Sequence, residues 1–475
     1  MRRLSASSFS SSSWRWYSVP REFAILPPFP GVVIPPKSPQ VTKPFPVVTK
    51  LESGLRVVSQ ETFTHMSAVG IVVEAGGAYE VEHLKTRGCA NLGEVLAWCG
   101  THLRDQQKLL SDVDGMGGYL HANAQREQTL YCVDALRERK EDATRLLAES
   151  VLMPMIDESN VEAARRLTKL KFDEAPLDAK CKELVHAAAY GPQSPLGSSV
   201  TAPCAGVSAS SLLNYRAAFF TPDRAVVAGT GIEHSELVDL AKRFFEPHLP
   251  PPSGLPLSYD STYHGGLVGV VDSSKKKDAV RVAVALEVGG WHDRDLVTTS
   301  VLQTLLGGGD SFSAGGPGKG MYSRLYREVL NYVPACDAAE AFASIHRNTG
   351  LLGISGAAKP EWAGQIALLF AKQLRRLATE PVKHDELNRA KNMLKGNALS
   401  QLESRLCLFE DLARQFSTFG KRQNLHDMAA AIDNVTQDDI LRLAKRMCSK
   451  PPAVAAIGPD LSRLPSHDYF ASLIY

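Results

Sequence analysis

The residues with the most capacity for chemistry are histidines, cysteines and a block of glycines, and their spacing restricts what they can do. Cysteines at 89, 99, 132, 181, 204, 336, 407 and 448 include no Cys-x-x-Cys pair. Neither a cysteine zinc site nor a disulfide framework is indicated, and reduced thiols are expected. His65, His83, His102 and His121 are scattered, with no His-x-x-x-His pair among them to hold a metal from consecutive helical turns. No Gly-x-Ser-x-Gly nucleophile elbow occurs. Residues 307–320, GGGDSFSAGGPGKG, carry seven glycines in fourteen positions. Lys319 is followed by Gly320 and not by Ser or Thr, so this is not a phosphate-binding P-loop. The segment lies between two apolar helical patterns, Val301/Leu302/Leu305/Leu306 and Met321/Leu325/Val329. That placement predicts a flexible loop whose exposed backbone hydrogen-bonds an extended peptide whatever the peptide's side chains.

The elements that must position such a loop repeat along the chain. GIVVEAGGAYE around Gly76 and Gly77 matches VRVAVALEVGGWHD around Gly289 and Gly290, an offset of 213. Thr129 in REQTLYCV matches Thr349 in HRNTGLLG at 220. Val207 and Leu212 match Val435 and Ile440, and Ala225 matches Ala453, all at 228. A nearly constant offset implies two copies of one domain of ordinary size. Strands and helices intermix without regular βαβ alternation, which predicts an α+β class with mainly antiparallel sheets packed by helices. Ser53-Gly54 between Val47–Leu51 and Leu55–Val58 is a hairpin signal. Leu146, Leu147, Val151 and Leu152, and likewise Leu237, Leu240, Ala241 and Phe244, mark helix faces turned to a core. Five prolines in residues 247–262 make a semi-rigid linker.

The 475 residues are 44% hydrophobic and 22% charged, with 53 basic and 51 acidic side chains. This excludes a disordered or coiled-coil chain, and the net charge of +2 argues against a nucleic-acid partner. The best apolar runs, such as Val282–Leu286, are strand-length, so no transmembrane segment is expected. The first twenty residues contain Arg2, Arg3 and Arg15, many serines, and no acid before Glu22. Arg and Ser without acids is the composition of a mitochondrial presequence. Arg15-Trp16-Tyr17-Ser18 resembles a matrix-protease cut site, with cleavage between Tyr17 and Ser18. The domain plan is therefore a presequence at 1–17, a Pro-rich arm at 18–46, a first domain at 47–246, the linker at 247–262 and a second domain at 263–475.

GGGDSFSAGGPGKGMYSRLY strongly resembles the glycine-rich loop of the alpha-type subunits among the pitrilysin-like metallopeptidases that process mitochondrial presequences. The visible departure is Asp310, where the family usually has Gly. The resemblance covers about residues 45–460 and implies two homologous pitrilysin-like α+β domains. It implies a loop, Gly307, Gly308, Gly309, Asp310, Ser311, Phe312, Ser313, Ala314, Gly315, Gly316, Pro317, Gly318, Lys319 and Gly320, that contacts presequence peptides. Asp310 is a candidate partner for presequence arginines, whereas Lys319 and Arg324 would have to point away from a basic ligand.

Catalytic members of this family carry His-x-x-Glu-His on a first-domain helix, with a further Glu ligand about 76 residues on. Alignment on GTHLRD and REQT puts Asn91 and Val95 at the histidine positions, Glu94 at the general-base position and Lys171 at the distal ligand. Three ligands are lost. The resemblance thus implies a non-catalytic chain without a metal of its own, Glu94 serving as a surface or salt-bridging carboxylate. Its partner would be a catalytic beta subunit that holds the zinc. The implied location is the mitochondrial matrix. Complex III core subunits resemble the same family, so the resemblance also admits attachment to the inner membrane beside cytochromes b and c1, either combined with presequence processing or, as the alternative, in a purely structural role. Such structural core subunits have generally lost the glycine-rich loop, which this chain keeps.

Overall fold

A computed structural model describes residues 45–80, 85–204, 206–255, 259, 261–272, 279–310 and 320–475. The presequence, its Tyr17–Ser18 cut, most of the Pro-rich arm and loop residues 311–319 lie outside the described residues. The first half supplies strands β1 (Val47–Lys50), β2 (Arg56–Gln60), β3 (Met66–Val73), β4 (Tyr119–Ala124), β5 (Thr129–Leu136) and β6 (Ala225–Thr230). Its helices are α1 (Cys89–Leu96), α2 (Gln106–Gly115), α3 (Lys140–Leu152), α4 (Glu158–Glu174), α5 (Leu177–Tyr190), α6 (Ala209–Phe219) and α7 (His234–Phe244). The second half supplies β7 (Gly266–Val271), β8 (Val280–Gly289), β9 (Gly308–Asp310), β10 (Cys336–Ile345), β11 (Thr349–Ala358) and β12 (Ala453–Gly458). Its helices are α8 (Leu296–Leu306), α9 (Ala363–Thr379), α10 (His384–Gln401), α11 (Arg405–Phe419), α12 (Leu425–Asp433), α13 (Gln437–Met447) and α14 (His467–Ile474).

Two sheets result, ordered β1-β2-β6-β3-β5-β4 and β7-β12-β8-β11-β10-β9. Matching the two strand orders pairs β2 with β7, β6 with β12, β3 with β8, β5 with β11 and β4 with β10. In each sheet one pair is parallel, β2 with β6 and β7 with β12, and the rest are antiparallel. The repeat extends to a helix cap. Ser208 accepts from the Ser211 amide to start α6, and Thr436, at the same offset of 228, accepts from Asp439 in a capping box that starts α13. The inner strands β3, β5, β6, β8, β11 and β12 run through the core as buried, largely apolar runs, covered on both faces.

The covering helices are partly exchanged between the halves. Helix α11, from the second half, lays Phe409, Leu412, Ala413 and Phe416 on the first sheet against Val58, Ala68, Val72 and Val226. A Cβ at Gly70 of β3 would lie 2.3 Å from Phe409 Cζ, so glycine there admits the ring. Helix α5, from the first half, lays Cys181, Val185 and Ala189 on the second sheet against Ala283, Ala285 and Ala453. The segments 47–246 and 263–475 therefore each hold one sheet, but each lends a helix to the other. The linker is tied in place: Arg224 donates to the Leu255 carbonyl at 2.8 Å, and Ser261 accepts from the Leu196 amide at 3.0 Å.

Two histidines sit buried in this exchanged packing. His186 on α5 donates from Nδ1 to the Lys182 carbonyl at 2.7 Å, which leaves Nε2 to accept from Ser344 at 2.9 Å. The His346 ring is 5.5 Å away. Burial holds both imidazoles well below the ordinary histidine range, with the Arg126 charge adding to the effect on each. A depressed folded pKa means that the unfolded chain takes up these protons first as pH falls through about 6.5. The stability they contribute is present above that pH and lost below it. Buried Glu80, lifted to about 7 mainly by desolvation, acts in the opposite sense. The comparison is therefore between parent and His346→Gln at each pH: the parent's urea midpoint is expected to fall more between pH 7.5 and 5.5 than the variant's. Parallel pH profiles would contradict this account.

The glycine segment differs from the sequence expectation at its roots. Gly307 ends α8 with φ +55°, and Gly308 follows with φ +105°, left-handed conformations that other residues resist. Gly308–Asp310 is a strand, paired antiparallel with β10 as Gly308↔Glu340, Gly309↔Ala339 and Asp310↔Ala338. The expected loop of 307–320 is thus narrowed, because the β10 edge offers backbone partners that local composition does not reveal. The apolar pattern Met321/Leu325/Val329 falls on a turn at Met321 and then a helical segment from 324 that continues as a π-helix over Tyr326–Leu330.

Candidate functional site: a degenerate metal helix

Helix α1 begins at Gly88, whose φ is +95°. Its first amides are held by the buried Glu80 carboxylate, which accepts from Gly88 N at 2.7 Å and Ala90 N at 2.8 Å. That contact fixes the helix carrying positions 91, 94 and 95. Asn91 is 7% exposed, and its amide nitrogen lies 3.8 Å from Cys204 Sγ. Val95 is half-buried and packs on the first core. Glu94 Oε1 accepts from Lys171 Nζ at 2.7 Å, and Oε2 accepts from the backbone N–H of Ala124 at 2.7 Å.

The structure brings the distal position onto the same helix, with its chemistry inverted. Lys171 reaches Glu94 from α4, and Ala124 reaches it from the last residue of edge strand β4. One carboxylate therefore clasps three elements. Zinc needs three protein ligands and an open position for water. An amide, an isopropyl group and an ammonium do not fit that ion, so no hydrolytic step is assigned to this chain. Among the described residues no group of three or more His, Cys, Asp or Glu side chains could hold a metal. The eight cysteines are unpaired.

A cleft of about 1,210 Å³ opens between the halves, beside the β4–β5 turn, Trp291, His346 and the end of α11. Its charges are largely engaged internally. Arg126 forks Glu183 at 3.0 and 3.1 Å, Arg422 holds Asp411 at 2.9 Å, and Glu127 accepts from Trp291 and the Arg347 amide. At the glycine segment, Gly307–Asp310 and Gly320 are placed as described, and Gly308 N donates to Ser323 Oγ at 3.0 Å, joining the segment's two roots. Arg324, which sequence reasoning needed to point away, is 7% exposed and forks Glu386 at 2.9 and 2.8 Å. Opposite signs at Glu94 and Lys171 were visible in the sequence once the 76-residue spacing was applied. Their opposite charges are the sequence signal for this union. The Arg324–Glu386 pair had no such spacing to suggest it.

Residues 56–203 match the family model described as Insulinase (Peptidase family M16), and residues 206–394 match Peptidase M16 inactive domain. The chain is 34% identical over 454 residues to the probable mitochondrial-processing peptidase subunit alpha-1 of Arabidopsis thaliana, covering 94% of this chain and 88% of the relative. It is 34% identical to mitochondrial-processing peptidase subunit alpha of Solanum tuberosum, with 94% and 87% covered, and 32% identical to that of Homo sapiens, with 90% and 84% covered. The chain belongs to the M16 (pitrilysin-like) peptidase family and, within it, to the family of mitochondrial-processing peptidase alpha subunits.

Proposed function

We propose that this chain is the non-catalytic, substrate-recognising subunit of a heterodimeric zinc endopeptidase that removes presequences from imported mitochondrial proteins. The observation that carries the reading is the inverted metal helix: Asn91, Val95 and Lys171 stand where ligands would be, and Lys171 neutralises the remaining Glu94. Hydrolysis then belongs to a catalytic beta partner that holds the zinc. This chain contributes recognition through the glycine-rich segment, including residues 311–319, and works in the mitochondrial matrix. The relatives' names favour this reading over a purely structural core subunit of complex III. Among the described residues no helix is long and apolar enough to cross a membrane.

Deleting residues 312–318, which leaves β9 and Gly320 intact, is expected to slow presequence cleavage by the reconstituted dimer about tenfold or more, the scale of losing roughly 1.4 kcal/mol of binding. Co-purification of the two subunits should not change. Wild-type cleavage by the deleted form would sink the loop's role. A pull-down of the tagged chain from a mild-detergent mitochondrial extract, assayed for cleavage and for cytochromes, tests the partner.

A further inference from the structure

We infer that an apolar cavity at the root of the glycine segment is a side-chain pocket for the presequence, taking one large apolar residue of a basic, extended peptide. The inference rests on the presequence-recognition reading above and adds to it the kind of residue read and the place. The cavity, about 810 Å³, lies between Leu305 at the end of α8, Met321 and Tyr322, and the α10 residues Arg389, Met393 and Gly396. Positions 389, 393 and 396 recur at helical spacing and share one face of α10. Methionine side chains are unbranched and polarizable, so a pocket they line adapts to varied shapes, as a reader of diverse peptides requires. At its mouth Met321 is 38% and Tyr322 73% exposed.

Charge and backbone select the occupant. The neighbouring cation, Arg324, is consumed by Glu386 within the wall. Strand β9 is the outermost strand of its sheet among the described residues, and the bond from Gly308 to Ser323 makes that edge continuous with the pocket. An extended peptide can lie along such an edge through main-chain hydrogen bonds while a side chain turns into a pocket beside it. Of the acids near this edge, Asp310 ends β9, and Glu340 on β10 is held by Lys182 of α5 on the sheet's other face. Arg389 stands in the α10 wall, so a peptide's cations are expected to lie away from it and its apolar residue to face Met393. The chain's own first twenty residues show that ligand chemistry, with Arg2, Arg3 and Arg15 beside Leu4, Phe9, Trp14 and Trp16.

The test fills the pocket without disturbing the fold. A Cβ at Gly396 meets nothing within 4 Å, and replacing a helix-interior glycine favours the helix, so Gly396→Phe should fold and pair normally. The probes are two labelled peptides with the sequence of residues 1–22, one native and one with Leu4, Phe9, Trp14 and Trp16 replaced by Gln. They are titrated against the heterodimer with its catalytic partner inactivated. Gly396→Phe is expected to weaken binding of the native peptide about tenfold, as loss of one buried apolar side chain would. The Gln peptide should bind parent and variant alike. Equal affinity of parent and Gly396→Phe for the native peptide would overturn the inference. The form lacking 312–318, titrated in parallel, separates the two claims. If it loses the native peptide and Gly396→Phe does not, the pocket falls and recognition by the loop stands. If neither loses it, both fall.

Discussion

The chain carrying Asn91→His, Val95→His and Lys171→Glu together is expected to purify with one zinc ion, where the parent carries none at those positions. Residues 91 and 95 are one helical turn apart on α1, and two imidazoles at that spacing face one metal. The third position already reaches the helix: Lys171 Nζ lies 2.7 Å from the Glu94 carboxylate, so a glutamate side chain from the same place on α4 supplies the missing oxygen ligand. Without metal the triple variant sets that new carboxylate against Glu94, and like charges at that distance destabilise it. Zinc should therefore raise its melting temperature. A free zinc concentration a hundredfold above the dissociation constant is worth about 2.7 kcal/mol. The double variant that keeps Lys171 should bind far more weakly, since an ammonium occupies the third corner. Metal analysis of the purified chains and melts with zinc or a chelator measure this. A folded triple variant that retains no zinc would show that the three positions do not converge as a coordination set.

Glu74→Ala is expected to cost about 3–5 kcal/mol of stability, the range for removing one partner of a buried ion pair. Glu74 follows β3, and its side chain is 3% exposed. It lies 2.9 Å from Arg347 and 3.7 Å from Arg56, and it accepts from Ser417 Oγ at 2.9 Å. Arg347 and Ser417 come from the second half, so this one carboxylate joins the two halves where α11 crosses the first sheet. Removal leaves two guanidinium groups facing each other with no anion between them. The double variant Glu74→Leu/Arg347→Leu should recover part of the loss, because it removes a charge together with its partner. Urea denaturation of the parent, Glu74→Leu, Arg347→Leu and the double variant gives the coupling. A loss below about 1 kcal/mol for Glu74→Ala would show that water already screens the cluster.

The sequence by itself determined what depends on residue type and short-range order. Landmarks offset by 213 to 228 gave two copies of one domain, and the folded chain has two sheets of matching strand order. Periodicity marked the core faces of α3 and α7, since a helix turns every 3.6 residues whatever it later packs on. That residues 91 and 95 are Asn and Val, and not His, was equally legible, because it needs no geometry. Tertiary structure alone decided the contacts between residues far apart in the chain. It set Lys171 on Glu94 across 77 positions and let α5 and α11 exchange sheets. Arg324 was paired with Glu386, and Gly308–Asp310 became an edge strand because β10 lies beside it. Each of these is fixed by which surfaces meet once two sheets and their helices close around shared cores, and neither hydrophobic period nor composition encodes that meeting.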